Sequence, residues 1–143
     1  METIETNIPV KKIELGAEFK KEFNYNQEMV NDFARISGDN NPIHLDPVYA
    51  ATTIFRKPIM HGMIGAGAIS SIIGTRMVGS IYMSQNLSFR RPMYVDNTYE
   101  AIVTVKDINT EKHIATLTTD ILEKDTGKPC LIGEATILNK KLF

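Results

Sequence analysis

The sequence predicts an α+β domain in which an antiparallel sheet wraps around one long apolar helix. Helical spacing of apolar residues is confined to the first half of the chain. From Met60 to Val78 the side chains are apolar or small on nearly every face, which indicates a buried helix. After Gly79 the segments become rich in Ile, Val, Thr and Tyr and alternate as strands do. A sheet packed on one such helix accounts for all three observations.

The composition points to a single globular domain spanning 1–143. The chain has 143 residues, of which 43% are hydrophobic and 23% charged, and a chain of this length buries about two-thirds of its unfolded surface. The net charge is −1, which lacks the positive bias that nucleic-acid binding requires, so no nucleic-acid partner is expected. The single cysteine, Cys130, excludes an internal disulfide and a cysteine-based metal cluster.

No targeting segment is recognised in the sequence, and the cytoplasm is the expected compartment. The N-terminal METIETNIPVKK lacks the pattern of a secretion or transit signal. The most apolar window, residues 59–81, is interrupted by glycine, serine, threonine and arginine, whereas a bilayer span needs about 20 mostly apolar residues. No membrane partner is therefore expected.

The first half of the chain predicts a strand and then a helix. Residues 1–15 form a frayed or strand-like leader, and Phe19–Phe23 forms a short strand. Asn26 caps the following helix, and Ser37-Gly38 ends it. Its expected apolar face consists of Met29, Val30, Phe33 and Ile36.

The polar segment 37–47 is predicted as a loop between helices, because it is dense in turn-forming residues. Asp46-Pro47 then begins a short helix that continues through Thr52. The apolar helix that follows should be enclosed. Its glycines each cost about 1 kcal/mol of helix propensity, which is explained if another backbone or a ligand approaches closely.

Four segments of the second half are predicted strands: SIYMSQNLSF, TYEAIVTVKDI, HIATLTTDILEK and CLIGEATILN. The turn residues between them, at Pro92, Asp96-Asn97, Asn109-Thr110 and 125–128, favour an antiparallel meander. A sheet of this size has an open edge, so we expect two chains to pair edge to edge.

Asp39 and His44 form the first candidate for chemistry. They are five residues apart in SGDNNPIH, and a carboxylate and an imidazole held together can share a water and transfer protons near neutral pH. Taken alone, an aspartate in such a turn more often bonds its own backbone, and a lone histidine is more often structural.

A glycine directly before the apolar helix strengthens the functional interpretation. In RKPIMHGMIGAG the N–H groups of Gly62 and Met63 can point from the helix N-terminus towards an incoming carbonyl oxygen. Donors of this kind stabilise negative charge that develops on a thioester oxygen by about 3 kcal/mol each.

These residues carry a family resemblance. FARISGDNNPIHLDPVYA (33–50) and KPIMHGMIGAGAIS (57–70) closely resemble the MaoC-like (R)-specific enoyl-CoA hydratases, whose motif is Gly-Asp-x-Asn-Pro-x-His. The resemblance implies a hot-dog fold and a homodimer with sites near the subunit interface. It also implies Asp39 and His44 as catalytic residues, Gly62 as the carbonyl-binding amide and Ser70 as a helix serine that supports the active-site hydrogen bonds. One departure is Asp96-Asn97, where the family commonly has Gly-Asp.

The implied reaction is reversible addition of water to a trans-2-enoyl thioester, which gives the (R)-3-hydroxyacyl thioester. The substrate is an acyl-CoA or acyl-carrier-protein thioester, and no metal or other cofactor is implied. The alternatives are a 3-hydroxyacyl-carrier-protein dehydratase, a hot-dog thioesterase and, from another class, a non-catalytic domain that binds acyl thioesters.

Four other features have a simpler expected role. His61 fixes the entry to the apolar helix, and His113 is a solvated residue at the start of a strand. Arg90 and Arg91 face opposite ways if they continue a strand, so at most one should reach the phosphates of coenzyme A, and a solvated face is the favoured interpretation. Cys130 is a buried small side chain and not a nucleophile.

Overall fold

The computed structural model describes residues 11–143, so most of the expected leader lies outside the described residues. The helices are α1 Gln27–Ser37, α2 Pro42–Leu45, α3 Pro47–Ala51 and α4 Gly62–Arg76. The strands are β1 Glu18–Phe23, β2 Ile81–Gln85, β3 Ser88–Phe89, β4 Tyr99–Asn109, β5 Ile114–Glu123, β6 Pro129–Ile132 and β7 Glu134–Leu138. Among these residues, the search for a helix with the length and hydropathy of a membrane span finds none.

All seven strands belong to one antiparallel sheet. Its main path runs β1-β4-β5-β6-β3, while β7 pairs with both β5 and β2. The predicted meander is confirmed from β4 through β5 to β6. It is wrong for the segment before β4, because β4 pairs with β1 and β3 pairs with β6. The turns at Pro92 and Asp96-Asn97 therefore lie in a crossing connection and not in a hairpin.

The core lies between α4 and the concave face of the sheet. Alternate residues of β4 are buried (Tyr99, Ala101, Val103 and Val105), as the alternation predicts. One side of α4 is buried against them and includes Ile64, Ala68, Ile69, Ile72 and Ile73. Each of the isoleucines contributes about 1.5–3 kcal/mol by burial, and this shared core holds α4 and its N-terminus in place against the sheet.

The opposite side of α4 is exposed, so the prediction that this helix is fully enclosed is wrong for the single chain. Met63 is 54% exposed, and Gly67, Ser70 and Gly74 lie on the same exposed stripe. The sheet curves around only one side of the helix because its two edges do not meet.

The predicted ends of α1 are confirmed. The Asn26 side chain accepts a hydrogen bond from Met29 N–H, and Gly38 adopts the left-handed conformation with φ of 80°. The apolar face is only partly buried: Val30 is fully buried, whereas Ile36 is 81% exposed. The residues of α1 that stay exposed border an apolar groove between α1 and α4.

The segment 37–47 is more ordered than the predicted loop. It contains α2, which is capped by the Asn41 side chain and has Pro42 at its first position. The predicted helix after Asp46 is confirmed, with the Asp46 carboxylate accepting from the N–H groups of Val48 and Tyr49. Two short capped helices therefore follow α1 in place of an extended loop.

Candidate active site

The segment that carries Asp39 and His44 is folded by its own polar side chains. Gly38 ends α1, and one oxygen of the Asp39 carboxylate accepts a hydrogen bond from Asn41 N–H at 3.2 Å. Asn41 in turn caps α2, whose last turn carries His44. Asp39 therefore both stabilises this turn and lies beside a histidine.

Asp39 and His44 lie close together, and a second histidine joins them. One side-chain ligand atom from each of Asp39, His44 and His61 lies within 4.8 Å of those of the other two. The two histidines are buried, whereas Asp39 is exposed. The carboxylate is thus open to solvent beside two buried rings.

The hydrogen bonds of His44 determine which ring nitrogen is available. His44 Nδ1 lies 2.8 Å from the main-chain oxygen of Ile59, and a carbonyl oxygen can only accept, so Nδ1 carries the hydrogen. In the neutral ring Nε2 then has the free lone pair. Burial lowers the pKa of His44 from 6.5, the neighbouring His61 lowers it further, and the Ile59 hydrogen bond and the Asp39 charge partly oppose this. His44 is therefore neutral at pH 7 and able to accept a proton.

His61 sits between the other site residues and the start of α4. Its ring is stacked on that of His44, with centroids 4.0 Å apart, and lies 4.8 Å from the ring of Phe33. Its Nε2–H donates to the main-chain oxygen of Asp39 at 3.0 Å. The predicted role at the helix entry is confirmed, since His61 is the N-cap residue of α4. The contacts to Asp39 and His44 were not foreseen.

A cleft of about 280 Å³ opens beside His44. The buried side chains of His44, Met60 and Met93 line its inner wall, and the exposed Phe89 lines its outer part. Asp39 is next to His44 but does not line the cleft in the single chain. The inner part of the cleft is thus apolar with one imidazole in its wall, while Arg90 and Arg91 complete the lining.

The N-terminus of α4 also borders the cleft. Gly62 lines it, and a Cβ atom on Gly62 would lie 2.4 Å from the Phe89 ring. The first amide of α4 that finds an acceptor is that of Ile64, which bonds to His61 O. Among the described residues, the N–H groups of Gly62 and Met63 have no protein acceptor and are free for a ligand oxygen.

Ser70 is not brought to this cleft. It lies two turns further along α4, about 12 Å from Gly62 along the axis, and faces the exposed side of the helix. Met63 is exposed and is not among the residues that line the cleft. Roles for Ser70 and Met63 remain predictions.

Three further expectations can be compared with the structure. Arg90 and Arg91 both line the cleft, so they are not separated onto opposite faces as strand alternation predicts; whether one or both reach a phosphate stays a prediction. His113 is half-buried and its Nδ1 donates to Phe143 O at 2.7 Å, so it is not a solvated residue. Cys130 is buried as expected, and burial raises the pKa of its thiol to about 11.

The three clustered side chains also have the spacing of a metal site. His44 Nδ1 and His61 Nε2 are already engaged by main-chain oxygens. An ion would therefore be limited to the other nitrogen of each ring and to the Asp39 carboxylate. Lone pairs on neutral imidazoles and a carboxylate serve equally well for proton transfer.

Comparison with known proteins places this geometry in context. A family described as MaoC like domain matches residues 9–126. The chain is 40% identical over 127 residues to the (R)-specific enoyl-CoA hydratase of Aeromonas caviae, covering 87% of this chain and 94% of that protein. It is 42% identical over 108 residues to the (R)-specific enoyl-CoA hydratase of Rhodospirillum rubrum, covering 74% of each.

Solved structures agree with the sequence comparisons. The (R)-hydratase from A. caviae involved in PHA biosynthesis superposes with a TM-score of 0.85, covering 88% of this chain and 96% of that one, at 40% identity. R-hydratase PhaJ1 from Pseudomonas aeruginosa gives a TM-score of 0.84 at 34% identity, covering 94% and 87%. Together with the sheet wrapped on α4, these matches confirm the predicted hot-dog fold.

Proposed function

The chain belongs to the MaoC-like domain family, and from that premise we propose that it is an (R)-specific enoyl-CoA hydratase. It adds water reversibly to a trans-2-enoyl thioester and forms the (R)-3-hydroxyacyl thioester. The hydratases of A. caviae and R. rubrum described above support this activity. The observation on which the proposal most depends is His44 in the cleft wall, with Nδ1–H bonded to Ile59 O and only Nε2 left to accept a proton.

In the proposed mechanism, Asp39 and His44 hold one water between them. The water oxygen attacks C3 of the enoyl group while His44 Nε2 takes a proton from it. The electron pair of the C2=C3 π bond moves to C2 and takes up a proton from the Asp39–His44 pair, which the proton removed from the water replaces. One hydrogen and one hydroxyl are thus added across the double bond, and the pair returns to its starting state. Each positioned acid or base contributes about 10²–10⁴ in rate.

The carbonyl of the thioester is proposed to bind at the start of α4. Its oxygen gains negative charge as the water attacks C3, and the free N–H group of Gly62 can donate to it. A side chain at Gly62 would collide with the Phe89 ring, which packs against the start of α4 at this position. Ser70 is assigned a supporting role by the resemblance alone.

We also propose a homodimer that forms through β2. Within residues 11–143 this strand pairs only with β7, and Ile81 and Met83 on it are 60% and 52% exposed. The opposite edge, β1, instead exposes Glu18, Lys20, Lys21 and Glu22. Charged side chains discourage edge pairing, and an exposed apolar edge favours it.

We propose three further properties of the chain. They are a single domain over 1–143, location in the cytoplasm and the use of acyl-CoA thioesters. A 3-hydroxyacyl-[acyl-carrier-protein] dehydratase of Solanum lycopersicum is 30% identical over 129 residues, so the carrier is a separate question from the reaction.

Site-directed variants test the function. Asp39→Asn and His44→Ala should each lower the rate of crotonyl-CoA hydration by about 10²–10⁴, with the circular dichroism spectrum unchanged. Asp32→Asn is the matched control, because Asp32 is exposed on α1 and paired only with Arg35. Loss of enoyl absorbance without thiol release, together with an (R)-3-hydroxy product, supports a hydratase.

Two results would contradict the proposal. Release of thiol would indicate a thioesterase. Binding of enoyl thioesters without any turnover would indicate a non-catalytic domain. Near-normal hydration by both variants would disprove the assigned mechanism while leaving the activity intact.

A further inference from the structure

We propose that Arg90 and Arg91 together bind the phosphate groups of coenzyme A at the rim of the cleft. This inference rests on the proposed function and names the residues that recognise the coenzyme A part of its substrate. It rests on the observation that Arg90 and Arg91 both line the cleft that His44 and Gly62 also line.

The local backbone explains why two adjacent arginines reach the same space. The strand β3 ends at Phe89, so the alternation of a regular strand does not continue into Arg90 and Arg91. The N–H groups of both residues donate to a single acceptor, Cys130 O, at 2.7 and 3.2 Å. Two residues facing one partner residue is the pairing of a β-bulge, which redirects side chains at the edge of a sheet.

Both guanidinium groups are available to a ligand. Arg90 and Arg91 are exposed, and within residues 11–143 no carboxylate lies within salt-bridge distance of either. The lining of the cleft includes these two cations and no acidic residue. An unpaired double positive charge in this position favours an anionic part of the substrate.

The acyl group, the thioester and the phosphate groups of the substrate each require a different environment, and the lining of the cleft contains residues suited to all three. The acyl group requires an apolar space, which Met60 and Met93 supply, and the thioester must lie beside Gly62. The phosphate groups of coenzyme A lie at the far end of the pantetheine arm. Arginine is suited to them because its planar fork donates two parallel hydrogen bonds to a phosphate.

The experiment separates phosphate binding from the reaction by comparing three thioesters. Crotonyl-CoA carries all the phosphates, crotonyl-phosphopantetheine carries one, and crotonyl-pantetheine carries none. In the Arg90→Ala/Arg91→Ala double variant we expect KM for crotonyl-CoA to rise about tenfold, which corresponds to two exposed charge pairs. KM for crotonyl-pantetheine should stay within twofold of the wild type.

Two further variants sharpen this comparison. Arg90→Lys/Arg91→Lys keeps the charge and loses the fork, so it should recover only part of the affinity. Arg76→Ala is the matched control, because Arg76 is exposed at the far end of α4, over the ring of Phe19. It should leave KM for all three thioesters unchanged.

A binding measurement tests the arginines without any turnover. Adenosine 3′,5′-bisphosphate is titrated calorimetrically into the wild-type protein and the double alanine variant. We expect the bisphosphate to bind the wild type with an affinity that falls as salt is added, and to bind the variant about tenfold more weakly.

The outcomes distinguish the two proposals. If the wild type hydrates none of the three thioesters, the proposed function is wrong, and the titration still tests the arginines. An unchanged KM for crotonyl-CoA in the double variant, or equal changes for all three thioesters, overturns the phosphate site. If only a crotonyl acyl carrier protein loses affinity in the variant, the phosphate recognised is that of the carrier protein and the assignment to coenzyme A is wrong.

Discussion

The imidazole of His61 is stacked on that of His44 at a centroid distance of 4.0 Å, with 30° between the ring planes. This contact joins two parts of the chain, because His44 ends α2 while His61 begins α4. It also places a second titratable ring against the proposed base. The ionisation of His44 is therefore governed by its neighbour as well as by burial.

The pH dependence of the reaction should reflect the lowered pKa of His44. The pKa of His44 is below 6.5, with burial as the largest cause, so the ring remains a neutral base at pH values where a free histidine is protonated. We expect the acid limb of kcat/KM, which reports the free enzyme, to have its midpoint below pH 6.5. A midpoint at or above pH 6.5 for crotonyl-CoA hydration would contradict this.

The free energy of unfolding should also depend on the ionisation of His44, and the lowered pKa of this residue determines the direction of the effect. Between the lowered pKa of the folded state and the value of 6.5 in the unfolded state, the unfolded chain binds more protons. The contribution of His44 to the free energy of unfolding is therefore present above pH 6.5 and is lost as the pH falls through that window. Urea denaturation of the wild type and His44→Ala across this range measures the difference.

His61 is expected to act by positioning. Its Nε2–H holds the main-chain oxygen of Asp39, so His61→Phe should lower kcat about tenfold, the loss of one aligned hydrogen bond at the site, with little change in KM. His61→Gln can donate from its own Nε2 and should retain most of kcat. Because His61 also lowers the pKa of His44, the acid limb should move to higher pH in both variants.

A purely structural role for His61 would give a different pattern. His61→Gln would then lose activity in parallel with thermal stability, and the acid limb would not move. The pH profile and the melting temperature of both variants, measured together, separate the two cases.

The glycine at the start of α4 should resist even a small side chain. In Gly62→Ala the new Cβ would lie 2.4 Å from the Phe89 ring, so the ring must move in the cleft and the carbonyl space is reduced. We expect kcat/KM for crotonyl-CoA to fall at least tenfold, corresponding to about 1.4 kcal/mol. An unchanged kcat/KM would argue against carbonyl binding at Gly62.

Gly74→Ala is the control in the same helix. A Cβ on Gly74 meets no atom within 4 Å, so the substitution should leave activity unchanged and stabilise the helix by up to about 1 kcal/mol. We therefore expect the melting temperature of Gly74→Ala to be higher than that of Gly62→Ala.

The proposed dimer predicts the effect of charge on β2. Ile81→Lys combined with Met83→Lys places two cations on the exposed apolar edge and should convert a dimer into a monomer in sedimentation velocity experiments. Glu18→Lys, on the opposite edge, should leave the assembly unchanged. A monomeric wild type, or a double variant that stays dimeric, would exclude an interface through β2.

The sequence correctly predicts the elements that depend on interactions between residues close together in the chain. The Asn26 cap and the Gly38 end of α1 follow from hydrogen bonds within a few residues, and the alternation of β4 follows from one buried face. α2 was missed although Asn41-Pro42 repeats the cap and proline pattern of Asp46-Pro47. The many turn-forming residues around Asn41-Pro42 favour a loop, although the cap and proline pattern of a helix start is present.

The errors concern interactions between distant parts of the chain. No residue near Asp96 reveals that β4 pairs with β1 rather than with β3. The exposed stripe of α4 depends on how far the sheet curves, which composition does not determine. Alternation could not place Arg90 and Arg91, because the strand ends just before them and both amides share Cys130 O.

The prediction that Asp39 and His44 come together depended on a short, well-specified segment and is confirmed in the structure. Their partner His61 was noticed only as a helix-entry residue. Its stacking on His44 requires contact between α2 and the start of α4, and the packing of the core determines this contact.

The strand pairing has a consequence for the order in which the chain folds. β4 and β5 are joined by a short turn and can close quickly, whereas Phe23 must find Tyr99, and Ile81 must find Leu138, across long stretches of chain. Such distant pairings slow folding, because the entropy of closing a large loop is lost before its contacts form. We expect the β4–β5 hairpin to be the earliest protected unit in pulsed hydrogen exchange, with β1 and β2 joining it late.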